Sequence, residues 1–422
     1  MTIGIGAAGI AGIAFEQLLP PVQSALSKAD VGGTITAGTY KYIVTAINAN
    51  GETTQSNEQT IVTTAATSTV TVTWITVPGA TGYKLYKTAA GGATNTELLY
   101  KTVGLVLTDI DTTPGAPAGA LPTSNTATTP NTYAAPTKYI PFLSESINST
   151  NETIFRRPVR QSADIIGAVA GNYHPEGEFN IEALEDVLIY FLMASRTLIV
   201  KTGTTPNFTY TVTPTAAGQA RKTLSLTLVR NGIVFGYTGI VVSSFKFNID
   251  SGLLNFSTNL MGSDEAVQSL PTPTWPTTVP FGAGSYSIEI PTATPVLDTD
   301  TFEFSVEDNA ETQFRLKSTG RGAQFTRYGE RNSTMTMERD FESRTDYDAF
   351  KAVTAQSVTL TASKGVNNSV SILAPVAVKD TYEVSNGSQG DLVRAQIAYQ
   401  NVIDGTGKSW QITIKTQEDI FP

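Results

Sequence analysis

Cysteine is absent from all 422 residues, which excludes a disulfide framework, a thiolate metal site and a thiol nucleophile. Histidine is nearly absent too. The single one, His174, sits in GNYHPEGEF with no serine and carboxylate arranged around it. Proton-transfer enzymes working near neutral pH usually rely on histidine, so His174 reads as a loop residue and no enzymatic activity is expected. Charge is scarce: 15% of residues are charged, the net charge is -9 and the pI is about 4.8. That balance fits a soluble, mildly acidic chain with no general attraction to DNA phosphates. Long hydrophobic runs are also missing. The opening MTIGIGAAGIAGIAF is shorter than the roughly 20 apolar residues a membrane span needs, and it lacks the basic flank of a secretion signal. Its glycine density reads as a disordered tail; an arm that orders only against a neighbouring subunit is the alternative.

Metal and nucleotide motifs are lacking as well. Asp109/Asp111, Asp298/Asp300 and Asp346/Asp348 offer paired oxygen ligands, but none has the ligand spacing of an EF-hand loop. The first two pairs read as turn aspartates and the third as charges at a helix N-terminus. Gly-Ala-Gly at 282–284 lacks the Lys-Ser/Thr of a phosphate loop. No cofactor and no metal are expected. Asn148, Asn207 and Asn332 begin Asn-x-Ser/Thr triplets, as chance produces in a threonine-rich chain.

What is present is β-strand patterning. Between residues 22 and 113 strands are predicted at Tyr40–Ile47, Gln59–Thr63, Thr69–Trp74, Gly82–Lys87 and Leu98–Thr102, with Asn50-Gly51 as a hairpin turn. WITVPGATGYKLYK resembles fibronectin type III and related immunoglobulin-like modules, in which a buried tryptophan precedes a strand carrying Tyr-x-Leu-Tyr. Residues 114–136, rich in proline, threonine and alanine, have no periodicity and read as a linker; 269–284 read as a second one.

The two segments these breaks leave, 137–268 and 285–422, share an order of elements. In the first, strands near Ile140–Ile147 and Asn151–Phe155 precede a helix with Ile181, Leu184, Val187, Leu188, Phe191 and Leu192 on one face. In the second, strands at Thr301–Val306 and Thr312–Leu316 precede a helix that Thr345 can cap, with Tyr347, Phe350 and Val353 on one face. Each segment closes on a hairpin: SSFKFNIDSGLLNFSTNLMG, and its counterpart in 378–402. A segment at about 203–236 is read as extra to the first copy. In the first hairpin Phe245, Phe247, Leu254 and Phe256 alternate with Ser244, Lys246, Asn248, Asn255, Ser257 and Asn259, which predicts one core face and one wet face.

Two basic runs occupy similar places in the copies. They supply Arg156, Arg157 and Arg160, and then Arg315, Arg321, Arg327 and Arg331. With Phe325 and Tyr328 nearby, a single-stranded nucleic-acid patch is one reading. The other is pairing with carboxylates of adjacent subunits, which suits arginine's planar fork and the acidic net charge.

GIGAAGIAGIAFE, KYIPFLSESI, IFRRPVRQSADIIGAVAGNYHPEGEFNIEALEDVLIYFL, YTGIVVSSFKFNIDSGLL, GRGAQFTRYGERNSTMTMERDFESRTDYDAFKA and NVIDGTGKSWQITIKT together resemble the major tail tube proteins of long-tailed, non-contractile bacteriophages. The resemblance implies a mainly β chain: two tandem tube domains of sandwich or barrel type, each with a flanking helix. The immunoglobulin-like module is inserted between an N-terminal start at 1–21 and the first tube domain. It implies a virion protein, assembled in the host cytoplasm, whose homotrimeric, pseudo-hexameric rings stack into a hollow tube. Ser244, Lys246, Asn248, Asn255, Ser257 and Asn259 would face the lumen, and the seven arginines would serve subunit or ring contacts. The implied partners are the chain itself, a tape measure protein, tail tip and tail terminator proteins, and passing double-stranded DNA without specific binding; no membrane is implied. The alternative is a surface adhesin or carbohydrate-binding protein, with tyrosines and Trp275 stacking on sugars.

Overall fold

Apolar and polar residues alternate along most of the chain, and the computed structural model turns that alternation into β-sheets covered on one face. It describes residues 9–113, 119–157, 164–215, 222–250, 252–315, 320–386 and 391–420. The chain divides into two units. One comprises the described residues up to Phe15 together with Asn131–Ile420; the other is Glu16–Pro130.

The stretch read as a tail or a subunit-dependent arm is instead, from residue 10, strand β1 (Ile10–Phe15), with Ala11 and Ile13 fully buried. It pairs within its own unit. Gly12 explains part of the glycine content: a Cβ there would meet Pro136 Cβ at 2.7 Å, so the close approach requires glycine.

Glu16–Pro130 holds β2 (Ser27–Ala29), β3 (Gly38–Asn48), β4 (Gly51–Glu52), β5 (Gln59–Thr63), β6 (Thr69–Thr73), β7 (Gly82–Lys87), β8 (Leu98–Val103) and β9 (Thr108–Asp111). β2-β6-β9 form one sheet. β4-β3-β7-β8, with β5 also on β3, form the other. Tyr42 and Val44 of β3, Leu85 of β7, Val70 and Val72 of β6, and Trp74 share one core, so the sheets pack face to face. Across that core Lys87 Nζ lies 2.8 Å from Asp111 Oδ2, an oxygen that also accepts from the Tyr42 hydroxyl at 2.8 Å. Asp109 and Asp111 are thus strand residues rather than turn residues, Asp109 meeting Lys101 at 2.5 Å. The expected linker at 114–136 is, from 119 to 130, part of this unit. Ala127 is fully buried, and the Asn125 side-chain amide donates to the Leu18 carbonyl at 2.7 Å. Asparagine and threonine side chains hold this segment through backbone bonds, which leave no hydrophobic period to read.

The larger unit continues with β10 (Lys138–Ile140), β11 (Ser144–Glu145), β12 (Asn148–Arg156), β13 (Gly167–Glu182), α1 (Glu185–Ala194), β14 (Thr197–Thr204), β15 (Asn207–Pro214), β16 (Leu224–Arg230), β17 (Ile233–Asp250), β18 (Leu253–Met261) and β19 (Asp264–Val267). A second set follows: β20 (Tyr286–Glu289), β21 (Pro295–Val296), β22 (Thr299–Glu307), β23 (Ala310–Gln313), β24 (Phe325–Tyr328), β25 (Asn332–Asp340), α2 (Thr345–Lys351), β26 (Ala355–Ser363), β27 (Ser369–Ser385), β28 (Arg394–Asn401) and β29 (Gln411–Thr416).

The two sets repeat one wiring. In the inner layer β12-β13-β18-β17 matches β22-β25-β28-β27; in the outer layer β10-β1-β16-β17-β19 matches β21-β20-β26-β27-β29. β17 and β27 run through both layers. Each carries a register shift where it crosses, between Val242 and Ser244 and between Lys379 and Thr381. The true addition to the first set is the β14–β15 hairpin, which pairs onto β29 (Tyr210↔Ile414). β16 falls within the segment expected to be extra, but it has a counterpart in β26. β1 and β10 are neighbours (Ile13↔Lys138), so the smaller unit is inserted into one hairpin. The matching hairpin, β20–β21, closes with residues 290–294 alone.

The helices differ. Every residue of α1 is buried, with Phe191 packed between Phe179 and Phe256 at 5.8 Å from each. Its first-turn acids are matched, Glu185 by Lys364 at 2.7 Å and Asp186 by Lys138 at 2.6 Å. Burial alone would depress the Lys138 ammonium, but its bonds to Asp186 and Glu418 hold it above its ordinary value. No residue of α2 is buried; Tyr347 and Phe350 rest on Tyr382. Thr345 is the first helical residue, not the cap, and Val353 lies beyond the helix, 67% exposed.

Candidate functional site

β17 and β22 pair antiparallel, from Ser244↔Glu307 to Asn248↔Glu303. This pairing fuses the two inner four-strand sets into one continuous sheet. Directly opposed residues share a face, so the registers define rows across it. Ile181, Phe256, Phe247, Phe304, Met335 and Tyr399 form one row spanning six strands, all of them fully buried. Phe247 lies 4.9 Å from Phe256 and 6.5 Å from Phe304, and Trp410 stacks edge-on to Phe304 at 6.0 Å. The junction is sealed on its core side by aromatic rings.

The next row faces the other way: Asn180, Ser257, Lys246, Ser305, Thr334 and Gln400. The residues expected on the wet face of the β17–β18 hairpin, Ser244, Lys246, Asn248, Asn255, Ser257 and Asn259, all lie on this side, half-buried or exposed. The face has more character than the hairpin alone reveals. Glu178, Glu182, Glu303, Glu307, Glu338 and Glu383 also project from it, against Lys246 and Arg394. Lys246 meets Glu303 at 3.3 Å, and Arg394 meets Glu338 at 3.4 Å and also Asp300. The sequence carries this signal at alternate positions of four strands, but it becomes an acidic surface only once the strand order is known.

Among the described residues nothing pairs with the outer edge of β11–β12 or with that of β27 beyond its register shift. Thr381, Glu383, Val384 and Ser385 are exposed on one edge, Ser146, Asn148 and Thr150 on the other. At Ile147 side chains close the edge: its N–H donates to Glu145 Oε2 at 3.1 Å, and its carbonyl accepts from Arg230. Such capping protects a strand edge from stray pairing.

The basic runs lie on the long hairpins that extend the inner strands. Arg156 and Arg157 are exposed at the end of β12, beside exposed Ile154 and Phe155, and Arg160 falls outside the described residues. Arg327 is exposed opposite Glu311 on the β23–β24 hairpin, and Arg315 lies in the connection between these strands, two residues past β23. Arg331 and Arg321 are engaged within the chain. Arg331 donates to Asp308 at 2.7 Å; Arg321 donates to Asn151 Oδ1 at 2.8 Å and lies over the Tyr173 ring. Arg196, which the sequence does not single out, joins Asp308 at 3.5 Å and donates to the Gly329 carbonyl at 2.8 Å. No run of charge or apolar period marks it.

His174 is a strand residue of β13, opposite Thr150 and buried, rather than a loop residue; its Nε2 lies 3.3 Å from Glu176. Among the described residues no serine or second acid joins it. Among the described residues no group of three or more histidine, aspartate and glutamate side chains is placed to hold a metal ion. Asp298 is held by Arg339 at 3.1 Å, and Asp346 by Arg339 at 2.9 Å and Lys379 at 2.7 Å. No described helix is long and apolar enough to cross a membrane.

A tandem pair of four-strand sets, open at both edges and acidic on one face, is the geometry of a wall element. Comparison with curated proteins gives no match. The family profile described as phage tail tube protein matches residues 112–400, more than half of the 422, and takes in both inner sets except the last residue of β28. On that match and this architecture, the chain belongs to the phage tail tube protein family and is a structural protein of the virion.

Proposed function

We propose that three copies close around a bore and that the rings stack into the hollow conduit through which the phage genome passes. One observation carries this reading: the intrachain β17·β22 junction already joins two equivalent wall elements through strand pairing. A chain that solves this contact once internally has the means to solve it again at its free edges, and closure would leave no edge exposed. The acidic face would line the bore, where like charge would keep DNA phosphates from sticking during ejection. Ring stacking is a heterologous contact that grows without closing, so length control falls to a tape measure protein, with tail tip and tail terminator proteins at the ends. Arg156, Arg157, Arg315 and Arg327 on the long hairpins are the arginines proposed for ring contacts.

The inserted unit is read as an immunoglobulin-like or fibronectin III-like decoration on the outside of the tube, tolerated because its ends meet in one hairpin. Assembly would take place in the host cytoplasm. Negative-stain microscopy of the purified protein tests the reading: hollow rings or rods are expected, and a protein that stays monomeric at high concentration would overturn it. Replacing residues 16–130 by a loop as short as that of β20–β21 should leave rods of smaller outer diameter. The cut falls before Tyr133 and Ala134, which bond Thr227 and Ser225 of the larger unit at 2.8 and 2.9 Å.

A further inference from the structure

The internal junction specifies which residues meet at the external one. Asn148 opposes Glu176 on β13 as Ser305 opposes Thr334 on β25, and Glu176 and Thr334 in turn oppose Met261 and Gln400. On the other side, Ser244 opposes Asn259 just past the register shift of β17, as Thr381 opposes Ala398 just past that of β27. Position by position, residues 146–150 therefore correspond to 303–307, and 381–385 to 244–248.

Resting on the ring reading above, we infer that residues 381–385 of one chain pair antiparallel with residues 146–150 of a second copy in one register. Thr381 opposes Thr150, Tyr382 opposes Ser149, Glu383 opposes Asn148, Val384 opposes Ile147 and Ser385 opposes Ser146. The alternation agrees. Val384 and Ile147 take the core-side places of Phe247 and Phe304, while Glu383 and Asn148 take the wet-side places of Lys246 and Ser305. On the β27 edge burial agrees as well: Val384 is 42% exposed, whereas Phe247, already covered by β22, is 0% exposed; at the other edge Ile147 is already buried within its own chain. The arriving strand replaces Glu145 and Arg230 as partner of the Ile147 backbone. Pattern alone would allow any slip by two residues, since such a slip preserves the faces; the internal template removes that freedom.

The cysteine-free chain makes the register directly measurable. Opposed Cα atoms in an antiparallel pair lie about 4.5–5.5 Å apart, inside the disulfide range, whereas positions two residues out of register lie beyond it. Glu383→Cys with Asn148→Cys should, on mild oxidation of assembled protein, convert most chains into covalent multimers whose ladder ends at the closed ring. Lys246→Cys with Ser305→Cys, the matching internal pair, should form its disulfide without multimers and reports that the fold tolerates the chemistry. Glu383→Cys with Thr150→Cys, or with Ser146→Cys, should cross-link little. Rods that cross-link preferentially through a slipped pair, or through none of the three, would overturn the register and leave the tube reading standing. Absence of rings and rods in the unsubstituted chain would sink both.

Discussion

Phe247 and Val384 occupy equivalent places in the two halves of the wall, yet one is fully buried and the other 42% exposed. The helices differ in the same sense. α1 lies beneath β1, where Phe15 stacks on Tyr190 at 4.7 Å, and it also contacts β14, β17 and β29; α2 rests mainly on β27, with Asp346 paired to Arg339 of β25. For the helices local sequence contributes, EDVLIYFLMA against TDYDAFK; for the strands it does not explain the contrast, because both halves have amphipathic strands in the same order. Burial follows from the next element around the sheet: the first half has one within the chain, and the second half ends at an open edge.

The sharpest way to break that comparison is truncation at the matched positions. Phe247→Ala should destabilise the single chain by about 3–5 kcal/mol in urea unfolding, whereas Val384→Ala should cost roughly 0.5 kcal/mol or less until rings form. Comparable losses in the monomer would mean that the edge is already covered. Next are the helices. Leu188→Ala in α1 should cost about 2–5 kcal/mol, and Phe350→Ala in α2 nearer 1 kcal/mol, measured the same way. A similar asymmetry holds for the hairpin corners. Asp308, 2% exposed and shared by Arg331 and Arg196, should cost about 3 kcal/mol on truncation to alanine, because two buried guanidinium groups lose their counter-charge. Its counterpart Asn151, exposed and bonded to Arg321, should cost under about 1 kcal/mol.

The smallest effect contrasts the inserted unit with the larger one. Burial, with Glu58 close by, pushes the Glu97 carboxyl up to about 7 from an ordinary 4.5. The folded unit therefore holds a proton that the unfolded chain releases between those values. Its stability is greatest below about pH 4.5, falls as pH rises through 7, and carries the full penalty at pH 8. Glu97→Gln should raise the unit's melting temperature by a few degrees at pH 8 and hardly change it at pH 4, in calorimetry of the whole chain. Lys41, 3.0 Å from Glu58, limits the gain.

Strands with a clear two-residue period are legible in the amino-acid pattern itself. Gln59–Thr63 and Gly82–Lys87 agree with their expected bounds to the residue, and the two closing hairpins correspond as their patterns suggest. The departures share a cause. Residues 10–15, 119–130 and His174 are held by backbone pairing or side-chain amides supplied from far along the chain, and a local window registers neither. The acidic face escapes a linear reading for a related reason. Its glutamates sit singly on separate strands, and only the order of those strands gathers them.

β17 and β27 each pass without a break from the outer layer into the inner one. Sliding one layer over the other would therefore have to stretch covalent backbone rather than rupture weak side-chain contacts. A tube wall made from such pieces should resist flattening and shear as a corrugated board does.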